Sequence, residues 1–220
     1  MDVLQLLLPR RCGVCGRIGE SACSECLRRL VRCLPPLCER CGAPGPWPVR
    51  RCAECSGRRL AFASARAALV YEARTRAFVS AWKERGRRDL AALAVSIVSE
   101  SVSRPDADII TFVPGDRDRG LRRGHAPAAA LAAGLAEVWE LPLHELLARR
   151  PGIGRQRDLP RADRRRNVAH AFTARGPVSR RVCLVDDVFT TGSTATACAT
   201  ALRREGAAQV SVVSLARAVR

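Results

Sequence analysis

The sequence predicts an α/β fold on a parallel sheet, preceded by a small cysteine-rich module. Nine of the eleven cysteines lie between Cys12 and Cys55, and predicted strands alternate with predicted helices beyond Ser56. One of these strands leads directly into a loop rich in hydroxyl groups and glycine. Alternating strands and helices favour a parallel sheet with crossover connections, in which ligands bind at the carboxyl ends of the strands.

Eight of the N-terminal cysteines form four CxxC pairs, while Cys33 stands apart. Each CxxC turn places two thiolates side by side, so two turns complete a tetrahedral and purely structural zinc site. The short spacers favour two consecutive zinc ribbons with four cysteines each, although interleaved pairing stays open. Disulfides are the alternative, but they need an oxidising compartment, and we recognise no export signal. The expected zinc ligands are Cys12, Cys15, Cys23 and Cys26, then Cys38, Cys41, Cys52 and Cys55.

The rest of the chain is divided into strands and helices by its apolar spacing. Period-two alternation and β-branched runs predict strands, and apolar residues three and four apart predict helices. We expect a domain boundary between residues 57 and 58, which separates a ribbon module (1–57) from a sheet domain (58–220). Strands are expected at 65–71, 108–113, 143–148, 181–185 and 209–215, and helices at 75–83, 90–102, 126–139 and 193–204.

The run VCLVDDVFTTGST at 182–194 carries the chemistry. Asp186 and Asp187 directly follow the strand expected at 181–185. Two adjacent carboxylates repel each other and lose hydration unless a cation or hydrogen-bond donors compensate. The loop and helix start behind them offer backbone N–H groups and hydroxyls to an anion, although ordinary helix capping is the alternative. The pattern favours a ligand with a phosphate and a sugar diol, or a metal-bound polyphosphate.

The formal net charge of the 220-residue chain is +17, and Lys83 is its only lysine. Such a surface attracts polyanions, either nucleic acid or phosphorylated small molecules. Aromatic residues make up 4% of the chain, which argues against a base-stacking platform for single strands. No segment reaches the roughly 20 apolar residues of a membrane span, so we expect a cytoplasmic protein without membrane insertion.

These features together resemble the ComF family, in which a double zinc ribbon precedes a type I phosphoribosyltransferase domain. Residues 182–194 are similar to the phosphoribosyl-diphosphate (PRPP) motif of those enzymes, so the resemblance implies a Rossmann-like parallel sheet. It also implies that Asp186 and Asp187 contact the ribose hydroxyls, often through Mg²⁺. The loop that would hold the 5-phosphate consists of Thr190, Thr191, Gly192, Ser193 and Thr194.

Three further segments extend the resemblance. WKERG at 82–86 resembles a Leu-Lys-Tyr-Arg-Gly-like family segment whose counterpart in the fold binds pyrophosphate, which implies roles for Lys83 and Arg85. Trp82 and Glu84 depart from that segment. The basic, proline- and glycine-broken stretch at 149–166 fits a mobile loop that closes over an anion. One segment departs from the family: 122–127 reads RRGHAP where an Arg-Arg-Gly-Phe-Asn-Gln-like segment is usual. The candidates from the basic loop are Gln156, Arg161, Arg164 and Asn167.

The resemblance implies that the protein binds PRPP, or another phosphorylated ribose, and transfers ribose phosphate as a pentosyl-transferring enzyme. No acceptor can be identified from the sequence. Membership of ComF further implies a part in DNA uptake during natural competence, with single-stranded DNA and a helicase or membrane channel as partners. The alternative is a non-catalytic zinc-ribbon adaptor that binds single-stranded DNA, and assembly into a homo-oligomer stays open.

Overall fold

A four-stranded parallel sheet forms the centre of the computed structural model, which describes residues 9–115, 125–150 and 170–219. Its strands are β1 (Ser64–Val70), β2 (Ile109–Phe112), β5 (Arg181–Phe189) and β6 (Gln209–Arg217), and they lie in the order β1–β6–β5–β2. Two short strands, β3 (Leu147–Arg149) and β4 (Phe172–Ala174), pair antiparallel beside it. The parallel α/β sheet expected from the sequence is therefore confirmed.

Local sequence accounts for where the helices begin. The Glu72 side chain caps the helix at Ala73–Lys83 by accepting hydrogen bonds from the N–H groups of Arg74 and Thr75. A proline opens the helix at Pro127–Trp139, where its missing N–H costs nothing. Within the described ranges, no helix is long and apolar enough to cross a bilayer. The helices are α1 (Ser24–Arg28), α2 (Ala73–Lys83), α3 (Ala91–Ser101), α4 (Pro127–Trp139) and α5 (Ser193–Arg204), with a 3-10 turn at Arg88–Leu90.

The two faces of the sheet carry separate cores. Successive side chains of a strand point to opposite faces. In β5, Cys183 and Val185 therefore pack with α2, α3 and α4, while Val182 and Leu184 pack with α5. The first cysteine module (residues 12–26) joins the first core, and the second (residues 38–55) joins the other. The two modules thus cover opposite faces of one sheet.

Two expectations about strands are wrong. The strand expected at 143–148 begins only at Leu147, because Leu143 makes just an isolated bridge to Ile110. The strand expected to end at residue 185 continues to Phe189, because the backbone keeps pairing with β6. The acidic pair therefore lies inside β5 rather than after it.

Candidate functional site

The two adjacent carboxylates lie near the carboxyl end of β5, in the interior of the sheet. The N–H of Asp187 donates to Asp186 Oδ1 at 2.8 Å, and the N–H of Val188 donates to Asp187 Oδ1 at 2.7 Å. Each carboxylate thus accepts one backbone hydrogen bond through its Oδ1 atom. Asp187 Oδ2 forms an ion pair with Lys83 Nζ, at the last residue of α2. The structure therefore brings the only lysine of the chain to the acidic pair.

The acidic pair carries more negative charge than one lysine offsets. Burial and the neighbouring Asp187 carboxylate together raise the pKa of Asp186 to about 7, and the Lys83 charge only partly opposes this. A carboxylate whose ionised form is disfavoured in this way favours a second cation nearby. Carboxylate oxygens completed by ligand phosphates are the surroundings that Mg²⁺ prefers. Asp186 and Asp187 therefore fit a magnesium ion that arrives with a polyphosphate.

The loop behind the acidic pair turns tightly at a single glycine. Gly192 has φ +70°, and a Cβ placed there would come within 2.7 Å of Phe189 Cζ, so only glycine suits this position. The Thr191 hydroxyl lies 2.8 Å from the Ser193 hydroxyl and accepts the N–H of Ser193 at 3.3 Å. Helix α5 begins immediately afterwards, so the N–H groups of its first turn that lack an intrahelical acceptor and these hydroxyls are the donors that an anion cradle needs.

The Lys83–Asp187 ion pair borders two cavities. One has a volume of 290 Å³, and its wall includes Asp186, Thr194 and Lys83. The other has a volume of 400 Å³ and is lined by Tyr71, Arg76, Ser80, Lys83, Asp187 and Thr190, among others. The acidic pair, the lysine and the loop at 190–194 therefore lie together in one region at the carboxyl end of the sheet.

The smaller cavity also includes the described part of the segment in which this chain departs from the family pattern. His125, Ala126 and Pro127 all line it. His125 Nε2 lies 2.7 Å from the carbonyl oxygen of Trp82, and because a carbonyl only accepts, Nε2 carries the proton. A polar imidazole thus occupies the cavity wall at the position where the resemblance to the family leads us to expect a phenylalanine.

Arg85, which was expected beside Lys83, lies elsewhere. Its guanidinium donates to the carbonyl oxygens of Gly13 at 3.0 Å and Ala77 at 3.3 Å. Neither of the two cavities is lined by Arg85, because α2 ends at Lys83 and the chain turns at Gly86 toward the first cysteine module.

Two other arginines line these cavities: Arg76, which the sequence pattern did not single out, and Arg149, the first residue of the basic stretch at 149–166. Arg76 lies seven residues before Lys83, a spacing that puts both on one face of a helix. That spacing could have identified Arg76. Arg149 lies at the end of β3 and stacks over the Phe172 ring at 5.6 Å, a placement that depends on the unexpected β3–β4 pair. The four loop candidates, Gln156, Arg161, Arg164 and Asn167, lie outside the described residues.

The eight CxxC cysteines form two groups of four, taken from consecutive turns, which excludes the interleaved pairing. In each group the sulfur atoms lie within 4.8 Å of one another. The Cys15–Cys23, Cys38–Cys55 and Cys41–Cys52 pairs are 3.9, 3.7 and 3.5 Å apart. A tetrahedron with zinc–sulfur bonds of about 2.3 Å has edges of about 3.8 Å, so these thiols fit zinc. All eleven cysteines are free thiols, so the disulfide alternative is not realised.

In each group the pKa of one thiol is lowered, which favours its thiolate form. Burial raises the pKa of Cys12, but hydrogen bonds from the backbone N–H groups of Cys15, Cys23 and Val14 outweigh it and lower the pKa to about 6. Burial likewise raises the pKa of Cys38, but hydrogen bonds from the backbone N–H groups of Cys41, Cys52 and Arg40 outweigh it and lower the pKa to about 7. Backbone donors that favour thiolates are a feature of metal-binding cysteine turns rather than of buried apolar cysteines.

Comparisons with known proteins agree with this arrangement. Residues 3–57 match the family model described as a double zinc ribbon domain. Competence protein F of Haemophilus influenzae is 34% identical over 142 residues, which cover 62% of each chain. The glutamine PRPP amidotransferase from B. subtilis, complexed with ADP and GMP, covers 58% of this chain and 26% of its own at 26% identity and a TM-score of 0.39. A TM-score of this size adds nothing to what the sheet order already establishes.

A second relative covers nearly the whole chain. The DNA utilization protein YhgH of Salmonella typhi is 30% identical over 207 residues, which cover 89% of both proteins. A match of that length extends over parts of both the ribbon module and the sheet domain. Because the resemblance extends over the ribbons and the sheet alike, this chain belongs to the ComF family.

Proposed function

We propose that this protein binds PRPP, or another phosphorylated ribose, together with Mg²⁺ at the carboxyl end of its sheet. The observation that carries the proposal is the Lys83–Asp187 ion pair, which lies beside a second carboxylate and a hydroxyl- and glycine-rich helix start. An isolated phosphate cradle would need no acidic pair. A diol together with a metal-bound diphosphate needs both.

Each part of the ligand has suitable partners. Asp186 and Asp187 would hold the ribose diol and the metal ion, and the loop at 190–194 would hold the 5-phosphate through its N–H groups and hydroxyls. Lys83 and Arg76 would neutralise the pyrophosphate from the larger cavity. Arg85 would act on the ligand only indirectly, by holding the end of α2 against the first cysteine module.

We further propose that the bound ligand can react by displacement at its anomeric carbon. The bond from that carbon to the pyrophosphate oxygen breaks, and pyrophosphate leaves with the electron pair. A nucleophilic acceptor forms the new bond and gives up its proton. Magnesium, when bound, supplies charge neutralisation for the leaving group. Lys83 would add to this, and the Asp187 carboxylate would keep the ammonium in place.

The relatives named competence protein F and DNA utilization protein favour a part in DNA uptake. As partners we propose single-stranded DNA and a competence helicase or channel. The net charge of +17 supports contact with a polyanion. A groove of 570 Å³ on the second core's side, lined by Arg40, Arg203 and Arg204 among others, offers a place for phosphates. We also propose a cytoplasmic location and a domain boundary after residue 57, where the family-model match ends.

Titration calorimetry with PRPP and Mg²⁺ tests the ligand proposal. The double variant Asp186→Asn/Asp187→Asn should lose at least about tenfold in affinity, because the diol and the metal ion lose their charged partners. Glu100→Gln/Glu137→Gln is the matched control, since it removes two exposed carboxylates away from the cavities. Absence of PRPP binding by the parent protein would contradict the proposal.

Salt dependence tests the DNA proposal separately. If the arginine-rich surface neutralises several phosphates, the logarithm of the affinity for single-stranded DNA falls linearly with the logarithm of salt concentration, with a slope near −0.7 per phosphate, or about −3 for four contacts. A slope near zero would show that few phosphates are contacted, whatever the result with PRPP.

A further inference from the structure

A residue just beyond the second cysteine module touches the loop at residues 190–194 directly. Arg58 follows Cys55 by three residues, and its Nη2 donates to the carbonyl oxygen of Thr191 at 2.5 Å. Its backbone is fixed by the module, because its N–H donates to the Cys55 carbonyl and its own carbonyl accepts from Arg51 Nη1, both at 3.3 Å. The module thus holds a charged donor against the loop.

A second arginine connects the same module to the loop through the Phe189 ring. Arg217, at the end of β6, is 1% exposed and donates to the carbonyl oxygen of Cys41 and, at 2.8 Å, to Glu54 Oε2. Its guanidinium also lies 5.5 Å from the centre of the Phe189 ring. Nη1 and Nη2 thus have partners, whereas Nε has none among the described residues. Because a buried cation is costly without such partners, these two hydrogen bonds tie the end of β6 to the module.

The Phe189 ring connects Arg217 to the tight turn of the loop at Gly192. The ring packs edge-on against Phe62, with centroids 5.9 Å apart, and lies directly under Gly192. The N–H of Ala218 donates to the Phe189 carbonyl at 2.9 Å, which joins the ends of β5 and β6. The loop is therefore supported by the module through Arg58 on one side and through Arg217 and Phe189 on the other.

We propose that the second cysteine module forms part of the phosphate site and that Arg58 is a positioning residue for it. In a trans peptide the C=O and the following N–H point in opposite directions. By holding the Thr191 carbonyl, Arg58 fixes the Gly192 N–H so that it points away from the module. That N–H becomes a preorganised donor for the 5-phosphate, and this last step rests on the proposed function.

Hydrogen exchange of the ligand-free protein tests the positioning role without any assumption about the ligand. Arg58→Ala should speed exchange in residues 190–196 by about tenfold, since one charge-assisted hydrogen bond no longer holds the loop closed. Exchange in residues 181–185 should not change. Arg59→Ala removes the same charge at the next, exposed position and should leave both segments as in the parent protein.

Calorimetry on the same variants tests the link to the ligand. Arg58→Ala should bind PRPP with Mg²⁺ about tenfold more weakly, and Arg59→Ala within about twofold of the parent, while both keep the parent's zinc content. Unchanged exchange at 190–196 overturns the positioning role, as does loss of zinc from Arg58→Ala, which would place its effect in the module itself. Faster exchange with unchanged PRPP affinity overturns the part played in the phosphate site. A parent protein that does not bind PRPP contradicts the proposed function alone, because the exchange result does not depend on it.

Discussion

The two cysteine modules have the same CxxC turns but support opposite halves of the candidate site. The first lies on the face of α2, where Arg85 donates to the Gly13 carbonyl at 3.0 Å and Arg87 donates to the Arg11 carbonyl at 2.6 Å. The second lies on the face of α5 and contacts the loop at 190–194 through Arg58. The first module therefore holds the helix that carries Lys83, and the second holds the anion cradle. The ribbons thus support the elements that form the site, although none of their described residues lines either cavity.

The largest effects should come from removing one zinc ligand in each module. Cys15→Ser and Cys41→Ser should each lower the zinc content from two ions to one and destabilise the protein by several kcal/mol, since metal binding and folding are coupled. The two variants should destabilise different parts of the protein. Hydrogen exchange should accelerate at the end of α2 in the first variant and at residues 190–196 in the second.

Cys33→Ser provides the control for both variants. Cys33 belongs to neither group of four, and burial raises the pKa of its thiol to about 11, so it stays protonated. This variant should keep both zinc ions. If Cys15→Ser and Cys41→Ser accelerate exchange in the same segments, the division of the site between the modules is wrong.

Alanine substitutions at the glycines of the CxxC turns should also distinguish the two modules, with smaller effects on stability. Gly16 and Gly42 follow the second cysteine of their turns and have φ of +78° and +69°. A Cβ on Gly16 meets nothing within 4 Å, whereas one on Gly42 would come within 2.4 Å of the Ala65 carbonyl oxygen in β1. Gly16→Ala should cost about 1 kcal/mol for its backbone conformation, and Gly42→Ala about 2–4 kcal/mol because crowding adds to it.

Thermal unfolding with intact zinc measures that difference. For a chain of this size, 1 kcal/mol corresponds to a shift in Tm of about 2–4 °C. Equal shifts for the two alanine variants would mean that the second module is not pressed against β1 as the structure has it.

Local signals in the sequence predicted most of the fold and the centre of the site. The CxxC turns, the apolar periods and the adjacent acids each depend on neighbouring residues, and they placed the zinc groups, the sheet and the β5–loop–α5 segment. The predicted end of β5 was wrong because pairing with β6 extends this strand past Asp186 and Asp187. That pairing depends on residues far away in the chain.

The supports of the site could not be predicted for the same reason. Arg58 lies 133 residues from Thr191, and Arg217 lies 176 residues from Cys41. In a chain so rich in arginine, no local feature distinguishes these two from the solvated ones. Only the fold, by placing the modules on opposite faces of the sheet, decides which arginines are buried and which partners they meet.

Asp186 lies between the two halves, and its titration should have a modest effect on ligand affinity. Its pKa is raised from 3.8 to about 7 in the folded protein, so ionisation opposes folding and stability should decline as pH rises between those values. Ligand binding should respond in the opposite direction, because the diol and Mg²⁺ require the carboxylate. Between about pH 6 and about pH 8 the ionised fraction of such a group rises about tenfold, and the affinity for PRPP with Mg²⁺ should rise with it.

The Asp186→Asn variant distinguishes this effect from titration of the ligand. PRPP phosphates also lose protons in this range, but they do so equally with both proteins. The ratio of the parent and variant affinities should therefore increase about tenfold across the range, which corresponds to about 1.4 kcal/mol. A ratio that is constant with pH would mean that Asp186 is already ionised at the lower end. In that case the Lys83 charge, held in place by the first module, would offset the repulsion from Asp187 more fully than burial and the raised pKa of Asp186 indicate.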